Sequence, residues 1–202
     1  MNKLIQQGAE AKIIFSNNFI IKDRIRKSYR IKELDEKIRK SRTKSESKIL
    51  EKASKIINSP KPLPENNLFQ IKMPFIEGKK LSDNLNSLNL SKQKKICKKI
   101  GESIAKIHES DIIHGDLTTS NMILKDNEIY FIDFGLGFIS KKIEDKSVDL
   151  HLLKQALEAK HFLNWQQLFE EVLRGYKIYK ENEKVLEQLK KVEKRGRYKD
   201  SH

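Results

Sequence analysis

The sequence predicts an α+β fold with two lobes: a small β-rich N-terminal lobe with one main helix, and a reduced, mostly helical C-terminal lobe. Three observations predict it. Short apolar runs separated by turn residues fill the first 23 residues, as in hairpin-linked strands. Apolar residues recur at helical spacing after Gly78. An acidic loop with a tight hairpin occupies residues 113–135, where the lobes would meet.

Three side chains of this acidic loop indicate a chemistry. Asp116 precedes Asn121 by five residues, and Asp133 opens an Asp-Phe-Gly twelve residues later. Two carboxylates and an amide are hard oxygen donors that suit a divalent cation carrying phosphate oxygens. Asp116 is then free to orient an attacking hydroxyl or water and to accept its proton. The order H-x-D-x-x-x-x-N followed by D-F-G is that of protein-kinase-like enzymes, so the sequence predicts a minimal protein-kinase-like fold.

The spacing of these side chains is explained by a hairpin. Two β-like runs, 122–125 and 128–132, are joined by the turn pair Asp126-Asn127. A tight hairpin brings the residues before its first strand close to those after its second. The alternative interpretation is two unrelated acidic turns in a solvated loop.

Length and composition restrict the remaining possibilities. The 202 residues suffice for one large domain or for two small lobes that share a cleft. A single cysteine, Cys97, excludes an internal disulfide framework and fits a reducing compartment. No charged-then-apolar leader and no run near 18 uncharged apolar residues is present. We therefore expect a cytoplasmic protein that does not span a membrane.

The net charge of +14 is concentrated in three clusters. Residues 22–48 hold twelve Lys or Arg against five acidic residues. The other two clusters are Lys92, Lys94, Lys95, Lys98 and Lys99, and Lys190, Lys191, Lys194, Arg195, Arg197 and Lys199. Such clusters attract polyanions, so nucleic acid or an acidic protein surface is an expected partner. A solvated face is the alternative interpretation.

The N-terminal lobe begins with three predicted strands, which end at Gln7, span 11–15 and span 19–22. Asn17-Asn18 forms the tight turn between the last two. The first turn contains Gly8, Ala9, Glu10 and Ala11, and in a kinase-like fold it would cover the nucleotide phosphates. With one glycine it leaves little room for backbone N–H groups to approach phosphate, and a plain hairpin is the alternative. Glu10 would repel phosphate unless it points away or contacts the metal.

Lys22 ends the third strand, the position from which a kinase lysine reaches the α- and β-phosphates. Such a lysine needs a carboxylate to hold it. Glu46 is the candidate, early in an amphipathic helix that is predicted to start near Thr43. The apolar face of that helix is formed by Ile49, Leu50, Ala53, Ile56 and Ile57. Glu51 is the rival, one residue off this stripe.

A hinge between the lobes is predicted at residues 74–78. Pro60, Pro62 and Pro64 indicate an extended connection, and the next strand is predicted at 68–73. The hinge backbone would bind an adenine edge, with Met73, Phe75 and Ile76 as lining. The alternative interpretation is that Phe75 and Ile76 are only core residues. This divides the chain into an N-terminal lobe at 1–73, the hinge at 74–78, a C-terminal lobe at 79–195 and a basic tail at 196–202.

The C-terminal lobe is predicted to be helical. A short helix spans 81–88, and a longer one capped by Ser91 reaches Ser110 with a buried stripe at Ile96, Ile100, Ile104 and Ile107. Cys97 lies beside that stripe as a small core residue. Further helices are predicted at 165–180 and 182–195, where Gly196 ends the last one.

Only twelve residues, 136–147, separate the acidic loop from the next predicted helix, 148–159, with Ser147 as its cap. No A-P-E follows, so the long activation segment of regulated protein kinases is missing. Asp149 in this helix is positioned to tie down the backbone around His114. His151 and His161 show no metal-ligand spacing.

These residues together resemble the small atypical kinase subunit of the KEOPS complex over nearly the whole chain. The motifs that carry the resemblance are G-A-E-A at 8–11, I-K-D-R-I-R-K-x-Y-R at 21–30, L-D-E-K-I-R-K-S-R-T-K-S-E at 34–46, H-G-D-L-T-T-S-N at 114–121, I-D-F-G-L-G at 132–137, V-D-L at 148–150 and R-G-R-Y at 195–198. H-G-D-x-x-x-x-N alone is shared with RIO kinases and antibiotic phosphotransferases. The basic block, the Thr-Thr-Ser insert and the R-G-R tail are more specific.

The resemblance implies a two-lobed kinase fold with ATP and magnesium in the cleft. It also implies an atypical serine/threonine kinase or ATPase that phosphorylates itself and supports threonylcarbamoyladenosine formation in tRNA. Its implied partners are the carbamoyltransferase subunit, other KEOPS subunits and tRNA.

The resemblance also assigns roles to individual residues of this chain. It implies Asp116 as the base, Asn121 and Asp133 as metal ligands, and Lys22 with Glu46 as the phosphate-holding pair. The tail residues Arg195, Gly196, Arg197 and Tyr198 would reach toward the active site or tRNA.

Two departures from regulated protein kinases weaken the case for fast transfer to a protein hydroxyl. Thr118 stands where Ser/Thr kinases usually carry a lysine, and the glycine-rich cover is reduced to one glycine. Two other functions therefore stay open: a catalytically weak RNA-binding scaffold with a kinase fold, and a small-molecule phosphotransferase. The second is disfavoured because the helical insert that such enzymes use for substrate is missing.

Overall fold

The computed structural model describes residues 3–197, with side chains described as far as Arg195. The N-terminal part is an antiparallel sheet in the order β1-β2-β3-β4, accompanied by one long helix, α1. Its elements are β1 (Lys3–Gln7), β2 (Ala11–Ser16), β3 (Phe19–Arg24), α1 (Lys32–Ala53) and β4 (Gln70–Pro74). Asn17 and Asn18 both have positive φ, 49° and 64°, as the predicted tight turn between β2 and β3 requires.

Helix α1 begins eleven residues before the predicted start near Thr43. The early part has no apolar stripe, so hydrophobic spacing did not reveal it. Charge contacts support it instead: buried Asp35 accepts a hydrogen bond from Arg39 one turn later, at 2.6 Å, and one from the backbone N–H of Lys27. Most of the other residues in this part are the good helix formers Lys, Glu and Arg.

The connection from α1 to β4 is extended, as the three prolines predict. Leu63 forms an isolated bridge with Lys72, its N–H donating to the Lys72 carbonyl at 2.8 Å. Strand β4 starts at Gln70, two residues later than predicted. After Pro74 the chain leaves this sheet, and the next strand, β5 (Lys79–Lys80), belongs to another one.

The C-terminal part is mostly helical and holds two small sheets. Its sheets are β5-β7-β8 and β6-β9, formed with β6 (Ile112–Ile113), β7 (Met122–Lys125), β8 (Glu128–Phe131) and β9 (Phe138–Ile139). Its helices are α2 (Leu81–Asn84), α3 (Leu90–Glu109), α4 (Ile143–Lys160), α5 (Trp165–Tyr176) and α6 (Asn182–Arg197). Strands β7 and β8 form the predicted hairpin, with Asp126 and Asn127 at positive φ. No helix within residues 3–197 has the length and apolarity to span a membrane.

Helix α3 is the centre of this part. Its predicted stripe is confirmed, since Ile96, Ile100, Ile104 and Ile107 are all buried. Cys97 is buried beside it, and burial raises the pKa of its thiol to about 12, so the thiol is an unreactive core group, as predicted. Helices α3 and α5 pack closely because each has a glycine at the contact, Gly101 and Gly175. A Cβ on either glycine would collide with the backbone of the opposite helix.

Four predicted helix ends in this part are wrong. The cap of α3 is Asn89, whose Oδ1 accepts the Lys92 N–H at 2.9 Å, and not Ser91. Helix α4 starts at Ile143, so Ser147 lies inside it and donates to the carbonyls of Ile143 and Val185. Helix α5 ends at Tyr176 instead of residue 180, and α6 continues through Gly196 to Arg197.

Candidate active site

The loop after β6 holds Asp116 and Asn121 together. A short 3₁₀ turn, Thr119–Asn121, folds the chain back so that Asn121 Nδ2 donates to Asp116 Oδ2 at 2.8 Å and to the Asp116 carbonyl at 2.9 Å. The amide nitrogen of Asn121 therefore faces Asp116. Its amide oxygen points to the opposite side of the amide group, where it is available to another ligand.

The hairpin brings Asp133 to the same place. Met122 pairs with Phe131 at the base of the hairpin, and the Ile132 N–H donates to the Asn121 carbonyl at 3.0 Å. Asp133 follows directly. The structure thus brings Asp116, Asn121 and Asp133 to one end of the hairpin, as the spacing predicts.

Asp133 adopts an unusual backbone conformation, with φ at 63°. Its Oδ1 accepts the Gly135 N–H at 3.2 Å, and a Cβ on Gly135 would lie only 2.9 Å from that oxygen and 3.3 Å from Lys22 Nζ. Phe134 between them is fully buried, with its ring 4.4 Å from the His114 ring. The Asp-Phe-Gly is therefore fixed by a buried anchor and a side chain-to-backbone hydrogen bond.

Lys22 lies between two carboxylates. Its Nζ is 2.6 Å from Glu46 Oε1 and 2.7 Å from Asp133 Oδ1. Burial lowers the pKa of Lys22, but the negative charges of Glu46 and Asp133 outweigh this, and the pKa lies above its ordinary value. Burial likewise raises the pKa of Asp133, and the Lys22 ammonium outweighs it, so that pKa lies below its usual range. Both groups are charged at neutral pH.

The contact separates Glu46 from its rival. Glu46 is buried and faces Lys22, whereas Glu51 is exposed and pairs with Lys55 at 3.2 Å on the outer surface. The structure thus pairs Lys22 with the carboxylate that the apolar stripe of α1 favours.

Sequence reasoning missed Arg24. Its Nη2 donates to Glu46 Oε2, so each oxygen of the Glu46 carboxylate contacts a different cation. Both side chains of this second pair are almost completely buried. Arg24 lies two residues after Lys22 on β3, and strand periodicity therefore places both on the same face. That spacing is the signal that was present in the sequence.

The turn between β1 and β2 is closed on itself. The Gly8 N–H donates to the Ala11 carbonyl at 3.0 Å, and the Lys27 ammonium donates to the Ala9 carbonyl. Glu10 pairs with Arg42 of α1 at 2.7 Å. Glu10 is therefore held by a cation, and Arg42 and Lys27 join the turn to the rest of the lobe.

The residues after β4 leave fewer groups for an adenine edge than predicted. The Phe75 N–H donates to the Asn18 carbonyl at 2.9 Å, and its ring packs edge-on against Phe15 at 5.0 Å. Met73 is buried and Ile76 is partly buried. An adenine would have to use other backbone groups of residues 74–78.

Asp149 of α4 anchors the acidic loop through the loop backbone, as predicted. It accepts the His114 N–H at 2.7 Å and the Gly115 N–H at 2.8 Å. His108 lies 3.3 Å from the same carboxylate and also contacts Tyr176 OH at 2.8 Å. Gly115 has φ of 79° and no room for a Cβ beside the Leu136 carbonyl, so its glycine is required.

A second buried contact to this loop was missed. His161, at the end of α4, lies with Nε2 3.2 Å from Thr119 Oγ1 and Nδ1 2.6 Å from Asn86 Oδ1. Both His161 and Thr119 are buried. His161 thus supports the turn between Asp116 and Asn121 through Thr119, a residue 42 positions away in sequence.

The donor set of the site fits magnesium. Asp133 offers a carboxylate whose side chain is 46% exposed, Asn121 offers its amide oxygen, and Asp116 lies beside them. Among residues 3–197 no three His, Cys, Asp or Glu side chains cluster as a metal site, which leaves this mixed carboxylate and amide set. Lys22, in contact with Asp133, places a cation beside this donor set.

The basic tail is described only in part. Arg195 pairs with Glu144 of α4 at 2.6 Å, on an exposed face. Gly196 and Arg197 belong to the backbone of α6, and Tyr198 lies outside the described residues.

Comparison with known proteins agrees with this geometry. Residues 16–142 match the RIO domain family. The chain is 43% identical to the KEOPS complex subunit Bud32 of Pyrococcus abyssi, over 98% of this chain and 97% of the relative. It is 38% identical to the "Probable serine/threonine-protein kinase BUD32 homolog" of Archaeoglobus fulgidus, over 95% of this chain and 94% of that protein.

Some relatives are longer. The chain is 43% identical to the "Probable bifunctional tRNA threonylcarbamoyladenosine biosynthesis protein" of Methanobrevibacter smithii, over 98% of this chain but 37% of that protein. The antiparallel N-terminal sheet and the helical C-terminal part are consistent with a RIO and protein-kinase-like fold. The chain belongs to the RIO-domain family, among the Bud32 subunits of the KEOPS complex and their homologues.

Proposed function

We propose that this protein is an ATP- and magnesium-dependent phosphoryl-transfer enzyme, an atypical serine/threonine kinase or ATPase. The observation that carries the proposal is Lys22, which lies between Glu46 and Asp133, at the end of the hairpin where Asn121 contacts Asp116. A buried, charged lysine beside a partly exposed carboxylate suits a triphosphate and its metal. The membership in the RIO-domain family supports the same chemistry.

Each residue has a role in this proposal. Lys22 binds phosphate oxygens while Glu46 holds its position. Asp133 and Asn121 would hold magnesium, which when bound neutralises charge on the transferred phosphoryl group. Asp116 orients the attacking hydroxyl or water and accepts its proton. Asp149 and His161 keep the loop of Asp116 in place through contacts with His114, Gly115 and Thr119.

Slow transfer or ATP hydrolysis fits this chain better than rapid phosphorylation of a protein substrate. The segment from Leu136 to helix α4 is short, and Thr118 stands where a lysine would neutralise the transferred phosphate. One missing cation of this kind lowers the rate by about 10². Water or a Ser or Thr of the same chain is therefore the acceptor that we propose.

We further propose that the activity supports threonylcarbamoyladenosine formation in tRNA, in the cytoplasm. The KEOPS subunit among the relatives and the longer bifunctional relatives support this assignment. The partners would be a carbamoyltransferase subunit, other KEOPS subunits and tRNA. The exposed basic residues of α1, such as Lys37, Lys44 and Lys48, favour a polyanionic partner.

The same basic surface supports a second candidate, a catalytically weak RNA-binding scaffold. The two candidates differ in the role of Asp133: the enzyme needs it as a metal ligand, whereas the scaffold does not. Asp133→Asn removes the proposed metal ligand and keeps the shape of the side chain, while Asp83→Asn changes an exposed carboxylate on α2 as the matched control.

We expect wild type and Asp83→Asn to hydrolyse ATP with magnesium, and Asp133→Asn to lose about 10² or more of the turnover. The measurement is phosphate release with and without tRNA and the partner subunit. Equal turnover in all three proteins would contradict the enzyme and favour the scaffold.

A further inference from the structure

The Glu46 carboxylate is shared between two cations, Lys22 and Arg24, of which only Lys22 also contacts Asp133 among the described residues. Lys22 Nζ donates a hydrogen bond to Oε1 of Glu46, and Arg24 Nη2 donates one to Oε2. Asp133, the other partner of Lys22, is 46% exposed, whereas the Glu46 side chain is 1% exposed. Arg24 is therefore the inner cation of the cluster and Lys22 the outer one.

The charges in this cluster balance. Lys22 and Arg24 carry two positive charges, and Glu46 and Asp133 carry two negative charges. In the proposed function, Lys22 must move part of its hydrogen bonding from the carboxylates to phosphate. Without Arg24, Glu46 would then be a buried carboxylate that has no other cation, which is strongly unfavourable.

The position of Arg24 is fixed independently of Glu46. Its backbone N–H donates to the Phe69 carbonyl at 3.0 Å, and strand β3 pairs it with Ala11 of the first turn. Its side chain is 5% exposed, and its Nε has no hydrogen-bond partner among the described residues. The hydrogen bond to Glu46 is thus the one that the Arg24 side chain makes among the described residues.

We propose that Arg24 is a positioning residue that shares the charge of Glu46, so that Lys22 is free to exchange its carboxylate partners for phosphate. The proposal deepens the phosphoryl-transfer function and rests on it for the phosphate, although the charge sharing itself can be tested in the protein without ligand. Arg24 does not touch the nucleotide. It acts through Glu46.

The test measures the reactivity of Lys22. Only the uncharged amine reacts with an N-hydroxysuccinimide ester of acetic acid, so the acetylation rate at fixed pH reports how firmly Lys22 holds its proton. Mass spectrometry gives the rate for Lys22 relative to exposed Lys52 of α1 in the same protein. The variants are Arg24→Gln and Arg24→Met, with Arg26→Gln, an exposed arginine of the same segment, as the matched control.

Charge sharing and a purely structural role predict opposite signs. If Arg24 shares Glu46, its removal leaves Glu46 entirely to Lys22, and we expect acetylation of Lys22 to slow about tenfold. If Arg24 only supports packing, its loss exposes Lys22 and acetylation becomes faster or stays unchanged. Arg26→Gln should match wild type.

A double-mutant cycle shows that the effect passes through Glu46. In a Glu46→Gln background, the change at Arg24 should alter the Lys22 rate by less than twofold. An equal effect in both backgrounds, or an unchanged or faster rate in the folded Arg24 variants, would overturn the proposal.

The double-mutant cycle requires that Arg24→Gln or Arg24→Met folds. If neither folds, rotation of the Arg24 guanidinium in the wild-type protein provides a second measurement. Arg24→Lys assigns the Arg24 guanidinium signal by NMR, and hindered rotation of that guanidinium in wild type is expected for a held ion pair. Free rotation would refute it.

Binding of a fluorescent ATP analogue with magnesium separates this proposal from the proposed function. We expect the affinity to fall about tenfold in Arg24→Gln and to stay unchanged in Arg26→Gln. If wild type binds no nucleotide, the phosphoryl-transfer function fails, while the acetylation experiment still decides the role of Arg24.

Discussion

The two sides of the candidate site are held by different forces. On the N-terminal side, Lys22, Arg24 and Glu46 are fixed by contacts between charged side chains. On the C-terminal side, the loop of Asp116 is fixed through its backbone, by Asp149 and by the hairpin. Charge contacts can exchange when a charged ligand arrives, but backbone hydrogen bonds inside the fold have no such alternative partner. The contacts on the N-terminal side can therefore exchange, whereas those on the C-terminal side provide fixed geometry.

The largest effect is expected from the backbone anchor. Asp149→Ala leaves the buried N–H groups of His114 and Gly115 without an acceptor, and each such loss costs about 1–3 kcal/mol. We expect the free energy of unfolding to fall by about 4 kcal/mol in urea titrations. Glu158→Ala, on an exposed face of the same helix, should change it by less than about 0.5 kcal/mol. A cost for Asp149→Ala as small as for Glu158→Ala would contradict the comparison.

Removing the shared carboxylate is expected to have the next largest effect. Glu46→Gln leaves Lys22 and Arg24 as buried cations without Glu46, and breaking a buried ion pair typically costs about 3 kcal/mol. The partial exposure of Asp133, which stays in contact with Lys22, keeps the expected loss of unfolding free energy near 2–3 kcal/mol.

Glu51→Gln is the control for this change, since Glu51 lies on the same helix with an exposed partner, Lys55. Its unfolding free energy should stay within about 0.5 kcal/mol of wild type. Similar values for the two variants would mean that the N-terminal cluster contributes no more than a surface pair.

Acidic pH should lower the free energy of unfolding through two buried histidines on the C-terminal side, His108 and His114. Burial lowers the pKa of His108 and of His114, whereas in the unfolded chain both titrate near 6.5. The unfolded state therefore binds more protons below that pH, and stability falls as the pH falls, by at most about 1.4 kcal/mol per pH unit for each histidine.

Alkaline pH should lower the free energy of unfolding through Lys22, on the N-terminal side. The pKa of Lys22 is raised by Glu46 and Asp133 against the opposing effect of burial, so the contribution of Lys22 to stability is complete below about pH 10.5 and is lost at higher pH.

The acid effect is tested with His108→Gln. Unfolding midpoints measured from pH 5 to 7 should depend less steeply on pH in this variant than in wild type. Equal slopes would exclude His108 as a source of the acid effect.

The smallest effect is expected at the turn over the site. Glu10 and Arg42 are both nearly half exposed, and such pairs contribute about 0.5 kcal/mol. A double-mutant cycle with Glu10→Gln and Arg42→Gln should give this coupling at low salt and less at 1 M salt. A coupling above about 2 kcal/mol would show that the turn is held as firmly as the buried cluster.

Local sequence was a good guide where local geometry decides. The turn pairs Asn17-Asn18 and Asp126-Asn127 both occur at positive φ, and the isoleucine stripe of α3 is buried. The contact of Asp149 with the backbone at His114 was also predicted, and the structure shows the buried carboxylate satisfied by the N–H groups of His114 and Gly115. The start of α1 was not predicted, because ion pairs stabilise it and no apolar stripe marks it.

By itself, the sequence determined that Asp116, Asn121 and Asp133 meet, because a two-residue turn leaves a hairpin only one register. It also determined the family, through motifs that are fixed in order and spacing. Only the tertiary structure decided that Arg24 shares Glu46, that Glu10 pairs with Arg42 and that His161 contacts Thr119. These contacts join residues 22 to 42 positions apart, and such pairs are selected by how whole elements pack and by which charges are left without water. The spacing of Lys22 and Arg24 on β3 places both on one face, but it does not identify the carboxylate that they share.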